Sequence, residues 1–178
     1  MPAPDSVTEE IPGKHMAVSK EKTKIPANAG KAEDDEAYSL LKLENQLCFP
    51  LYAAARHVIN SYTPYLKPLG LTYTQYLVLL VLWEAKESSV GDLCRKLYLD
   101  NGTISPVIKK MEKDGIVTRC RLPEDERVVR VCVTEKGMEL REAAKNIPVR
   151  VGSCLAVSRE DAQSLYRLLY GLLQDDML

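Results

Sequence analysis

Between Ser89 and Thr134 the hydrophobic pattern changes from helical to strand-like, and no other stretch restricts the fold so far. In SVGDLCRKLYL, Val90, Leu93, Cys94 and Leu97 recur at helical spacing. That predicts a short helix with one buried face. Asp100-Asn101-Gly102-Thr103 interrupts it, because Asn and Gly favour a turn, and Asn101 or Thr103 can cap the next helix. ISPVIKKMEKDG then puts Ile104, Ile108 and Met111 on one side and Ser105, Pro106, Lys109, Lys110 and Lys113 on the other. Pro106 is expected in the first turn, where its missing N–H is harmless, and Gly115 is the stop. Ile116 to Leu122 and Val128 to Thr134 alternate β-branched and charged residues, as two half-buried strands would, joined by Pro123-Glu124-Asp125-Glu126-Arg127. Helix, turn, helix and hairpin make a winged helix-turn-helix. The fold class is therefore mainly α with a small β-hairpin.

In such a unit the second helix lies in a major groove and the hairpin reaches backbone or minor groove. Helix-turn-helix shapes also serve as plain packing units, and a basic helix face is commonly just solvated. The formal net charge is −1, so any DNA contact must come from local clustering. Lys109, Lys110, Lys113, Arg119, Arg121, Arg127 and Arg130 supply a cluster on the expected reading side.

No apolar run is long enough to span a bilayer and the N-terminus lacks the apolar stretch of a secretory signal, so a cytoplasmic protein is expected. The cysteine count is five, without a CxxC, which fits reduced thiols. With two histidines and no ligand spacing, no metal and no cofactor are expected.

Residues 1–36 are rich in Pro, Lys, Glu and Asp and poor in large apolar side chains, which predicts a disordered tail, with Lys20, Lys22, Lys24 and Lys31 solvated. Order is expected over 37–178. Leu40, Leu43, Leu47, Leu51, Ala54 and Val58 predict a long helix with more than one apolar stripe. Such a helix needs several neighbours, so part of its surface is assigned to a second subunit. Pro50 forces a kink or a new helix start, and a new start would place Cys48 at a helix N-terminus, where the dipole favours negative charge. Thr72 and Gln75 have the reciprocal capping pattern, and TQYLVLLVLWEAK after them reads as the central buried helix. Thr134 caps TEKGMELREAAKN, which ends before Pro148. Ser158 opens a last helix whose Ala162, Leu165, Leu168, Leu169, Leu172 and Leu173 form a broad stripe, with Tyr166 and Tyr170 beside it. Residues 37–70 and 135–178 are thus the dimerisation helices and 71–134 the DNA-binding part.

Two stretches resemble a known family. LYLDNGTISPVIKKMEKDGIVTR with PEDERVV is similar to the recognition helix and wing of MarR-type repressors. LENQLCFPLYAAARHVINSYTPYLKPLGLTYTQYLVLLVLWE resembles one branch of them, the organic hydroperoxide resistance regulators. The likeness runs from about Leu41 to the end. It implies a homodimeric repressor that senses organic hydroperoxide through one N-terminal cysteine, with Cys48 at that position. Tyr62 and Tyr73 match tyrosines that bond the sulfur across the dimer, and Tyr52 is in register. Asp125 and Arg127 match an acid that orients a minor-groove arginine. Cys154, in VGSCLAVS between the last two helices, matches a resolving thiol, although a small thiol serves equally. Cys94, Cys120 and Cys132 read as structural. Asn101, where the family has serine, departs from the pattern, as does Pro50.

The expected function is a redox-sensing repressor, not an enzyme, on a pseudo-palindromic operator in double-stranded DNA. Asn101, Thr103, Ser105 and Pro106 would lie nearest the bases, and Lys109, Lys110 and Arg127 would carry the phosphate term. The alternatives are a MarR-type regulator of a phenolic or drug-like ligand and a thiol peroxidase. A peroxidase would want a βαβ unit or a paired resolving motif, and the sequence has neither.

Overall fold

The computed structural model describes residues 38–122, 125–154 and 157–174, without the side chains of 120–129, 154 and 174. The expected disordered tail and the Pro123-Glu124 tip fall outside these residues. The chain divides into Met1–Lys42 and Leu43–Leu178. Of the first unit, residues 38–42 form turns, with Leu41 N–H donating to Tyr38 O at 3.0 Å.

In the second unit the order is a 3₁₀ turn Leu43–Asn45, α1 Cys48–Leu66, a 3₁₀ turn Lys67–Leu69, α2 Tyr73–Ala85, β1 Glu87–Ser89, α3 Val90–Leu97, α4 Asn101–Lys113, β2 Val117–Leu122, β3 Asp125–Val133, α5 Glu135–Ala144, α6 Ile147–Cys154 and α7 Arg159–Gln174. α2 is the centre. Its capping box forms as expected, Thr72 N–H donating to Gln75 Oε1 at 2.8 Å and Gln75 N–H to Thr72 Oγ1 at 3.3 Å. Val78, Leu79 and Leu82 on it are fully buried, as are Leu93 of α3 and Ile104, Ile108 and Met111 of α4. Each such side chain contributes roughly 1.5–3 kcal/mol on leaving water. The helix-turn-helix therefore packs on α2 as one body.

Several boundaries differ from expectation. The long helix does not begin near Ala37 but at Cys48, which puts Pro50 in the first turn, where a missing N–H removes no intrahelical bond. Asp100, not Asn101 or Thr103, caps α4, its Oδ1 accepting from Thr103 N–H at 2.9 Å. That cap draws the helix start back to Asn101, so Pro106 sits in the second turn and leaves the Gly102 carbonyl without an i+4 donor. β3 begins at Asp125, so Asp125 to Arg127 belong to a strand, with a register shift at Arg121/Leu122. β1 is a third strand that the sequence did not suggest: Glu87-Ser88-Ser89 has no β-branched residue, yet it pairs antiparallel with β3 through Glu87↔Cys132 and Ser89↔Arg130. The sheet order is β1-β3-β2. α6 is likewise unexpected, and Cys154 is its last residue.

The sheet meets α5 at Gly137. A Cβ there would stand 2.3 Å from Ile116 O and 2.6 Å from Val133 Cγ2. Trp83 Nε1 donates to Gly137 O at 2.8 Å, and Gly137 N–H donates to the Thr134 hydroxyl at 3.1 Å. Only a residue without a side chain lets α2, α5 and the wing base close together this tightly.

Candidate sensor and nucleic-acid interface

Cys48 is exposed and is the first residue of α1. Leu47 ahead of it offers no side-chain cap; Phe49 N–H donates to Gln46 O at 3.2 Å, Leu51 N–H donates to Leu47 O at 3.4 Å, and Pro50 has no N–H to give. Tyr52, four residues on, shares the Cys48 face of the helix. Its hydroxyl accepts from Arg56 Nη1 at 3.1 Å, and the Arg56 guanidinium carbon lies 5.5 Å from the ring centroid.

Tyr62 and Tyr73 come together elsewhere, with ring centroids 5.0 Å apart. Cys48 and Tyr62 are fourteen positions apart in one continuous helix, hence about 21 Å at 1.5 Å rise per residue. No rotamer closes that gap. Within one chain, Tyr52 shares the Cys48 face of α1, and Tyr62 lies too far along the helix to reach the sulfur. Burial first, and the neighbouring Tyr62 second, hold the Tyr73 phenol above its ordinary value, so at neutral pH it is a hydrogen-bond donor.

Tyr76 belongs with this pair and was missed in the sequence, where it reads as one more apolar position of α2. Its ring is 5.8 Å from Tyr62 and 6.4 Å from Tyr73, and Trp83 packs edge-on at 6.1 Å. Burial, then Tyr62 and Tyr73, raise its phenol as well. The helical spacing of Tyr73, Tyr76 and Trp83 was the available signal.

Around Cys48 the surface is apolar: Leu47, Phe49, Leu51 and Tyr52 are exposed. On α7 no described side chain is buried, and Leu165, Tyr166, Leu168, Leu172 and Leu173 are exposed. The Ser158 cap forms, Asp161 N–H donating to its hydroxyl at 3.1 Å. The Cys154 side chain, the expected resolving thiol, lies outside the described residues.

α4 exposes Asn101, Thr103, Ser105, Pro106, Lys109, Lys110 and Lys113 together. Thr103 Oγ1 donates to Asp100 Oδ2 at 2.7 Å, which leaves its lone pairs as the free function. Lys110 pairs with Asp114 at 2.8 Å on the surface. An exposed pair of this kind is worth at most about 1 kcal/mol and yields readily to a phosphate. Among the described ion pairs, none involves Lys109 or Lys113. Two arginines of the expected cluster pair with carboxylates of the same chain in partly exposed positions: Arg119 pairs with Glu112 at 3.3 Å, and Arg130 ties β3 to β1 through Glu87. The side chains of Arg121, Asp125 and Arg127 lie outside the described residues. Cys94 and Cys132 are half-buried, Cys132 Sγ lying 3.7 Å from Glu87 Oε2, while the Cys120 side chain is outside the description.

This arrangement has known relatives. The organic hydroperoxide resistance transcriptional regulator of Bacillus subtilis is 44% identical over 79% of this chain and 95% of its own length. The chain belongs to the organic hydroperoxide resistance regulators, a MarR-type family of transcriptional regulators. These regulators are not enzymes. The SarA/Rot transcriptional-regulator family description matches residues 60–144 of this regulator. Reduced AbfR bound to DNA is 32% identical, covers 78% of this regulator and 96% of that chain, and superposes with a TM-score of 0.64. The disulfide form of AbfR covers 80% and 100% at a TM-score of 0.55. AbfR from Staphylococcus epidermidis is among the same neighbours.

Among the described residues, no helix is long and apolar enough to cross a membrane, and no group of three or more His, Cys, Asp or Glu is placed to hold a metal ion.

Proposed function

We propose that this regulator is a cytoplasmic, homodimeric repressor that holds a pseudo-palindromic operator when reduced and releases it when Cys48 is oxidised by an organic hydroperoxide. The observation that carries this reading is the placement of Cys48. It opens α1 on an exposed apolar surface, about 21 Å along the helix from Tyr62 of its own chain. A second copy, docked on α1 and α7, brings Tyr62 and Tyr73 of the partner subunit to the sulfur.

The chemistry follows from that assembly. The Cys48 thiolate attacks the terminal oxygen of ROOH, the S–O bond forms as the O–O bond breaks, and the alkoxide leaves and takes a proton as ROH. The product sulfenic acid condenses with a second thiol, releasing water and forming a disulfide. Cys154 of the partner subunit or a small thiol fills that role. Neutral phenols donate to the sulfur anion and to the departing oxygen, and the apolar surround favours an alkyl peroxide over hydrogen peroxide.

On the DNA side, α4 enters the major groove, with Asn101, Thr103, Ser105 and Pro106 nearest the bases. Lys109, Lys110 and Lys113 take phosphates, and Asp125 and Arg127 act from the wing. Two such heads must match grooves one helical turn apart, and a disulfide at the dimer arms changes their spacing.

A gel-shift series with reduced, cumene-hydroperoxide-treated and re-reduced protein tests this. Binding, loss and recovery are expected, with Cys48→Ser bound throughout. Release of Cys48→Ser by the peroxide would reject the cysteine as sensor, and release of the reduced wild type by phenolic compounds alone would favour a ligand-gated regulator.

A further inference from the structure

Tyr98 closes α3 with φ 52° and ψ 44°, in the left-handed region. Its N–H donates to the carbonyls of Arg95 and Cys94, and Leu99 N–H reaches Cys94 O at 3.0 Å. Helix ends of this form favour glycine, since a Cβ crowds the following carbonyl. Gly70 and Gly115 take the same region at two other turns of this chain, with φ 69° and 72°. At position 98 a bulky aromatic stands instead, and the residue is 56% exposed. Packing inside the chain therefore recovers little of the strain. The positive φ is needed to close α3, as it is at Lys86 after α2 with φ 64°, but an exposed aromatic side chain is not, and that side chain points to a role outside the fold.

Its position says which role. Tyr98 lies two residues before Asp100, the cap of α4, and two after Lys96, which is exposed. When the second helix of such a unit lies in the major groove, the first crosses the sugar-phosphate backbone, so the turn between them rides at the phosphate rim. Asp100 contributes a carboxylate there, engaged by the Thr103 N–H and hydroxyl. A neutral donor is suited to reach a phosphate beside that carboxylate. We propose that Tyr98 is a DNA-backbone contact, its phenol O–H donating to a phosphate oxygen at the groove edge and fixing the register of α4 without reading sequence. The inference rests on the DNA-binding reading above.

The test uses the reduced full chain, an operator duplex selected from a random pool, and a scrambled duplex of equal composition, titrated over a range of KCl. Tyr98→Phe and Tyr98→Gly should each weaken binding about tenfold on both duplexes, the size expected for losing a hydrogen bond to a charged group. The slope of log affinity against log salt should stay at the wild-type value, because no cation is lost, whereas Lys109→Ala should lower it by about one unit. Tyr98→Gly should melt no lower than wild type. Wild-type affinity in both variants, a loss confined to the selected duplex, or a lowered melting point in Tyr98→Gly would each overturn the contact. Wild-type protein that binds neither duplex would overturn the DNA-binding reading itself.

Discussion

In the winged-helix part, Ile104, Ile108 and Met111 are fully buried by their own chain, whereas on α7 Leu165, Tyr166, Leu168 and Leu172 are between 50% and 69% exposed. Both segments are amphipathic helices of similar design. The first finds its complement in α2 and the sheet, and on the second no side chain is buried among the described residues. The candidate sensor residues divide in the same way: Tyr62, Tyr73 and Tyr76 are packed together, while Cys48 and Tyr52 are exposed on α1. On the proposed function, a second copy completes these arms, and chemistry there moves the winged-helix part as a packed body.

The comparison breaks most visibly at α7. The double variant Leu168→Asp, Leu172→Asp should turn dimers into monomers and lower operator affinity by about a hundredfold or more, since one half-site contact is lost along with its linkage to the other. Far-UV circular dichroism should change little. Sedimentation velocity checks the first outcome, and an unchanged dimer would show that these leucines serve no interface.

Gly137→Ala strikes the other region. The added methyl meets a backbone carbonyl that flexible side chains cannot relieve, so a loss of about 3 kcal/mol is expected, or roughly 6–12 °C in thermal midpoint. Thr72→Ala removes one half of the capping box of α2 and should lower stability by about 1 kcal/mol in urea, without altering the dimer.

The smallest effect concerns acid. The Thr103 hydroxyl, then its N–H, hold the Asp100 carboxyl below the usual range. Its folded value being depressed, the stabilisation is complete above the unfolded value and is lost as pH falls through the folded one. Thermal midpoints of wild type and Asp100→Asn should therefore differ most near neutrality and converge as the pH falls well below the ordinary aspartate range.

The helices other than α6, and the wing, were legible because the apolar period switches cleanly at Gly115, and the Thr72, Thr134 and Ser158 caps carry their own chemistry. β1 was not, because three polar residues acquire strand geometry only from β3, a partner more than forty residues away. The start of α4 was misplaced because Asp100 competes with Asn101 and Thr103 for one cap, and only the backbone decides among them. At the sensor, Cys48 and the three marked tyrosines could be named from resemblance, but their separation within a chain needs the length of α1. Tyr76 escaped notice because a buried tyrosine in an apolar run looks like core. The commitments of Arg119 and Arg130 were equally hidden, since both ion pairs join residues distant along the chain or on different elements.

The central claim is that Cys48 works with tyrosines of the other subunit. It is tested most directly by a mixed dimer of one Cys48→Ser subunit and one Tyr62→Phe, Tyr73→Phe subunit. Its single remaining Cys48 then faces intact tyrosines only across the interface. Stopped-flow oxidation by cumene hydroperoxide should proceed at the wild-type rate per thiol. The slow rate of the Tyr62→Phe, Tyr73→Phe homodimer in that mixed species would contradict the account.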